Sequence, residues 1–143
     1  MTALSQDRNT PRMGGETRQG PVAAGAAIFA GALVMRNAAG FILPAQAATG
    51  LVGIGRAEEQ IDNSAGGNGD LTVMYRPGIY RFENSAGADE ITISDVGALC
   101  FAVDDQTVAK TDGGAARSPA GIIDGVDAQG VWVRLDEALA KAS

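Results

Sequence analysis

The sequence predicts an all-β fold, mainly short strands, as a small β-barrel or β-sandwich-like domain with an extended N-terminal arm and at most a short helix. Three observations carry the prediction. From Ala26 onward, short apolar runs are separated by Gly, Pro, Asn and Asp rather than spaced at helical period. Leu71, Val73 and Tyr75 alternate with Thr72, Met74 and Arg76, the period of a half-buried strand. The first twenty residues show neither a 3.6- nor a 2.0-residue hydrophobic period.

Taken in chain order, residues 1–22 read as the arm and residues 23–143 as the β-rich domain. The first twenty residues are polar and carry three Arg against Asp7 and Glu16, net +1, whereas residues 21–143 carry eight basic against fifteen acidic groups, net −7. Such a segment is either a frayed terminus or a segment that orders when a partner supplies its hydrogen bonds. Leu33-Val34-Met35 and Phe41-Ile42-Leu43 flank Asn37-Ala38-Ala39-Gly40, which predicts a hairpin ended by Pro44. The glycines of Leu51-Val52-Gly53-Ile54-Gly55 suggest a bend or a close backbone approach. Residues 63–70, rich in Gly and Asn, read as a loop that bulges or lies flexible at the surface. Pro77-Gly78 predicts a turn between the 71–76 strand and Ile79-Tyr80-Arg81-Phe82. Further strands are expected at residues 91–93, 99–103, 107–110, 121–124 and 131–135. Asp136-Glu137 favours the start of one or two helical turns toward Lys141.

Composition narrows the function. The length of 143 residues suits one domain. The 45% hydrophobic fraction overstates the core, because 26 of those residues are Ala, and a thin core favours a homo-oligomer. There is no His, the commonest general base and metal ligand. The only cysteine, Cys100, sits in the apolar run Leu99-Cys100-Phe101-Ala102-Val103 and reads as a buried side chain rather than a nucleophile. A net charge of −6 with no Lys/Arg run argues against nucleic acid as partner. The apolar stretch at residues 22–35 is too short to span a membrane, and the arginines before it are too dispersed for a targeting signal, so a soluble protein is expected.

No catalytic, cofactor or metal residues are expected. The paired carboxylates Glu58-Glu59, Asp89-Glu90 and Asp104-Asp105 are sequence neighbours that a strand would point to opposite faces, and Asp104-Asp105 reads as a solvated turn. Gly53-Ile54-Gly55-Arg56-Ala57-Glu58 lacks the third glycine of a dinucleotide fingerprint, and Gly66-Gly67-Asn68-Gly69 lacks the Lys of a phosphate loop. Ala120-Gly121-Ile122-Ile123-Asp124 followed by Gly130 resembles part of a motif in trimeric dUTP pyrophosphatases, but Asp127 stands where that motif has an aromatic residue.

Two stretches resemble phage capsid decoration (cement) proteins, the first those of the lambda type and the second the broader cement-protein pattern. Leu51-Val52-Gly53-Ile54, a polar loop, Asp70-Leu71-Thr72-Val73-Met74-Tyr75-Arg76 and Gly78-Ile79-Tyr80-Arg81-Phe82-Glu83 follow in that family's order. So do Gly97-Ala98-Leu99-Cys100-Phe101, Asp104-Asp105, residues 107–110, Pro119-Ala120-Gly121-Ile122-Ile123 and Val131-Trp132-Val133-Arg134-Leu135. The resemblance implies a structural homotrimer that binds the major capsid protein on the virion exterior after assembly in the host cytoplasm, without cofactor, nucleic acid or membrane. It implies attachment through the arm, here Arg8, Asn9, Thr10, Pro11, Arg12 and Arg18. Trp132, Tyr80 and Phe82 are the expected subunit-interface residues; Trp132 alternates with Val131 and Val133 and so faces away from them. The alternative functions are a trimeric receptor- or glycan-binding module, for which Trp132, Tyr75 and Tyr80 would be the platforms, and a small trimeric nucleotide hydrolase.

Overall fold

The computed structural model describes residues 2–143, which form a mainly β protein. Its strands are β1 (Arg18–Pro21), β2 (Ala27–Ile28), β3 (Leu33–Arg36), β4 (Ile42–Pro44), β5 (Val52–Ala57), β6 (Ile61–Asp62), β7 (Thr72–Arg76), β8 (Gly78–Phe82), β9 (Leu99–Ala102), β10 (Val108–Ala109), β11 (Pro119–Asp127) and β12 (Gly130–Leu135). One helix, α1 (Glu137–Ala142), follows. The first five-stranded sheet has the order β1-β7-β5-β3-β4, the second β10-β9-β11-β12-β8, and β2 pairs with β6 alone. Both large sheets curl until their outer strands meet. A parallel bridge joins Val22, just after β1, to Ile42 in β4, and another joins Glu83, just after β8, to Thr107, just before β10. Closing a sheet removes the exposed edge that would otherwise pair with other chains.

Two cores result, and β3 is their common wall. Leu33 and Met35 point into the core of the second sheet with Phe82, Cys100, Ile123, Val131 and Val133. Val34, on the opposite face, joins Ile42, Val52, Ile54, Val73 and Tyr75 in the first. Strand β5 solves the same problem with glycine: Val52 and Ile54 enter the first core, while Gly53 faces the backbone of β11. A Cβ on Gly53 would overlap the Ala120 carbonyl oxygen and come within 2.8 and 2.9 Å of Ala120 C and Cα. The close approach expected from these glycines is therefore one sheet resting on the other.

The expected hairpin forms: Asn37 N–H donates to Phe41 O, the Asn37 side chain accepts from Ala39 and Phe41 N–H, and Gly40 takes φ +96°. The alternation in β7 buries Val73 and Tyr75 and exposes Thr72, Met74 and Arg76; Leu71 lies outside the strand and is exposed. Helix α1 starts where expected, with Asp136 accepting from Leu139 N–H, and it buries Ala140 against the first core.

The expected turn at Pro77-Gly78 is a corner: β7 and β8 belong to different sheets, and the chain crosses between them with Gly78 at φ +142°. Three expectations are corrected. Residues 91–93 are not a strand: Asn84 clamps Ile91 by accepting from its N–H and donating to its carbonyl, which drives Ile91 into the core, and a 3-10 turn follows at Ile93–Asp95. The loop at residues 63–70 is pinned rather than loose. Buried Asn63 donates to Ala23 O and Gly67 O, Asn68 accepts from Ala24 N–H, and Gly69 N–H reaches Val22 O. Finally, the arm is shorter than residues 1–22, because Arg18–Pro21 pairs with β7 and Val22 is fully buried.

Candidate functional site

Two surfaces hold the residues singled out by the sequence. The first is the N-terminal segment. Residues 2–17 contain no strand or helix, and Arg8, Asn9, Thr10, Pro11 and Arg12 are all exposed, as are the apolar Leu4 and Met13. Within it, Arg8 Nη1 reaches Thr10 Oγ1 at 3.5 Å. Regular pairing begins only at Arg18, which stands opposite Tyr75 in β1 and is exposed. The root of the segment is anchored: Arg76 Nη2 donates to Thr17 Oγ1 at 3.1 Å, and Gln19 Nε2 to Thr72 Oγ1 at 2.8 Å. Glu58 holds Arg76 in turn, at 3.3 Å, and also accepts from Arg56 at 3.0 Å. The segment thus leaves the body from a strand stapled to β7, beside the corner at Pro77.

The second surface is the outer face of the second sheet. Trp132 faces outward as its alternation requires, 37% exposed, between buried Val131 and Val133. Its Nε1–H donates to Asp127 Oδ2 at 2.9 Å, and the Arg81 guanidinium lies 5.4 Å from its ring. The indole N–H, followed by the Gln129 N–H, holds the Asp127 carboxyl below the usual carboxylate range. The other two residues expected on a subunit interface are engaged within the chain. Phe82 is 7% exposed and lies in the second core, which corrects its assignment to the surface. Tyr80 shares that face of β8, half-buried at the seam between the sheets, where the Arg56 guanidinium sits 4.3 Å from its ring centre. Tyr75 is buried in the first core and accepts from Arg36 Nη2, so Trp132, Tyr75 and Tyr80 do not form one exposed aromatic cluster.

The remaining candidate groups have structural partners. Burial pushes the Cys100 thiol up to about 12, so it stays protonated and poorly nucleophilic. Asp104 accepts from Gln106 N–H in the turn between β9 and β10. Asp89 accepts from Thr111 Oγ1 and pairs with Arg117 at 3.2 Å; the Thr111 hydroxyl is the larger cause of its lowered pKa, ahead of Arg117. The 120–124 stretch forms the β11 strand of a hairpin with β12, where Gly121 lets the Arg134 carbonyl approach and Asp124 pairs with Arg134 at 3.5 Å. Among the described residues there is no group of three or more His, Cys, Asp or Glu side chains placed to hold a metal ion, and no helix long and apolar enough to cross a membrane.

Sequence reasoning missed the residues that organise these surfaces. Arg36 donates to Glu137, Gly40 O and Tyr75 OH at 2.9 to 3.0 Å and docks α1 across the open end of the first core. Buried Ser118 donates to Ala48 O and accepts from Leu51 N–H, tying the 48–51 loop to the start of β11. Neither stands in a motif; apart from the Arg36–Gly40 bond, each acts on partners tens of residues away. Comparison with protein-family models, with curated proteins and with solved structures found no match.

Proposed function

We propose that this chain is a phage capsid decoration protein that binds the exterior of the major capsid protein lattice as a homotrimer and stabilises the head. The observation that carries the reading is the N-terminal segment: sixteen residues without strand or helix, all but Gly15 and Thr17 exposed, rooted on a strand of an otherwise closed β body. A chain in that state can add as a strand to a partner's sheet edge, where backbone hydrogen bonds supply attachment with little demand on sequence. Three such segments on one trimer would multiply weak single contacts through effective concentration. Arg8, Arg12 and Arg18 assist encounter with an acidic shell, but exposed ion pairs contribute only about 0 to 1 kcal/mol each and are screened by salt.

The test follows from the root of the segment. Deleting residues 2–16 leaves Thr17 and β1 in place, whereas removing Arg18–Pro21 would take away the strand that closes the first sheet. The 2–16 deletion is expected to abolish decoration of bare capsids with the fold retained by circular dichroism. An Arg-to-Ala triple variant at positions 8, 12 and 18 should weaken it far less and chiefly slow its onset. Decoration by the deleted protein at the full-length level would refute the assignment of attachment to this segment.

A further inference from the structure

We propose that the outer face of the second sheet is a self-association surface whose occupant is a second copy of this chain. This deepens the self-association in the reading above and rests on that part of it alone. The strand register lines up Leu99, Ile122, Arg134 and Ile79 as one row across β9, β11, β12 and β8. These are the outward positions, because their neighbours Cys100, Ile123, Val133 and Tyr80 turn toward the core. Trp132 and Arg81 form the next pair along the same face. Ile79 is 43% exposed and Trp132 37%, and Leu99 and Ile122 are half-buried, so apolar side chains open to solvent flank Arg134 along this row and continue at Trp132.

Two arguments select a second copy as the occupant. The first is topological: both large sheets close on themselves, so neither offers a free edge, and a copy that docks on them packs against a face. The second is electrostatic. Each chain carries −6, so copies repel over most of their surface. On this face the charges cancel: Arg134 pairs with Asp124, and Arg81 acts on Asp127. A cationic partner would find little here to bind, whereas an identical face, its charges paired among themselves and its Ile and Trp side chains open, meets it without net charge repulsion. The outer face of the first sheet lacks this character, since Thr72 and Arg76 of β7 are tied up with Gln19 and Thr17, and Met74 is the one large apolar side chain that β7 exposes.

Ile79→Glu and Ile122→Glu, made singly in the full chain, test the surface. Each places a carboxylate opposite Arg134, so the fold has a partner for it, and circular dichroism checks that the fold is kept. Sedimentation from about 1 µM to about 1 mM spans affinities from tight to marginal. The wild-type chain should associate over this range, and each substitution should weaken association by about tenfold or more. Met74→Glu, at the same 43% exposure on the other sheet, should leave it unchanged. Association that survives both β-strand substitutions, or is lost equally with Met74→Glu, overturns this surface while leaving self-association standing. A wild-type chain that stays monomeric throughout overturns both. Decoration of capsids, scored separately, tests the attachment segment independently of either outcome.

Discussion

Replacing Gly53 by alanine adds one methyl group at the place where the two sheets touch, and the structure sets its cost. The new Cβ would meet the backbone of Ala120, with its carbonyl carbon at 2.8 Å and its Cα at 2.9 Å. No rotamer change relieves a contact with main chain, so β5 and β11 must separate. Overpacking a well-filled interior costs about 1 to 3 kcal/mol, and a backbone clash belongs at the upper end, about 3 kcal/mol. For a domain of this size about 1 kcal/mol moves the melting temperature by roughly 3 to 4 °C, so a drop of about 10 °C is expected. Gly125→Ala is the matched control. Its Cβ would meet only Trp132 Cδ1 and Cβ at 3.8 and 3.9 Å, ordinary contact distances, and its φ is not left-handed. It should be neutral or stabilising by about 0.4 to 1 kcal/mol through the entropy of the unfolded chain. Thermal and urea unfolding followed by far-ultraviolet circular dichroism measure both variants. A Gly53→Ala protein within about 0.5 kcal/mol of wild type would show that the sheets do not meet on this glycine.

Two further predictions probe the ends of the molecule. Asp127 has its pKa lowered by the Trp132 indole N–H first, so its contribution is present above the unfolded aspartate value and disappears as pH falls through the lower folded value. Fluorescence of Trp132, the only tryptophan, should therefore change below about pH 4. Asp127→Asn, which still accepts the bond but does not titrate there, should remove that step; a midpoint at or above pH 4 in the wild type would contradict the assignment. At the other end, Glu137→Ala removes the 2.9 Å bond from Arg36, whose side chain is 21% exposed. A loss of about 1 to 2 kcal/mol is expected, between the values for exposed pairs and for charged hydrogen bonds. Faster amide exchange at Ala140 should accompany it, and unchanged exchange there would mean that α1 is held by Ala140 burial alone.

Features set by near neighbours were legible in the sequence. The turn chemistry of Asn37 and Gly40, the alternation from Thr72 to Arg76, the cap at Asp136 and the outward Trp132 each depend on residues within about four positions, where φ/ψ preferences and side-chain period act directly. The same logic explains the error at Phe82. Alternation places Tyr80 and Phe82 on one face of β8 and Ile79 and Arg81 on the other, but it does not say which face meets the core. That choice was made by Val131 and Val133, some fifty residues later, once β12 had paired with β8. Pro77-Gly78 reads alike as a hairpin turn or a corner between sheets, and Gly53 alike as a bend or a bed for another backbone, until the partner strand is known. Local composition determined that this chain makes short strands joined by turns, with a polar segment before them. Tertiary structure decided which strands meet, that the bridges at Val22–Ile42 and Glu83–Thr107 close both sheets, and that Ile79, Ile122 and Leu99 join Trp132 on one open face, because each is a contact between residues that become neighbours only when the chain folds.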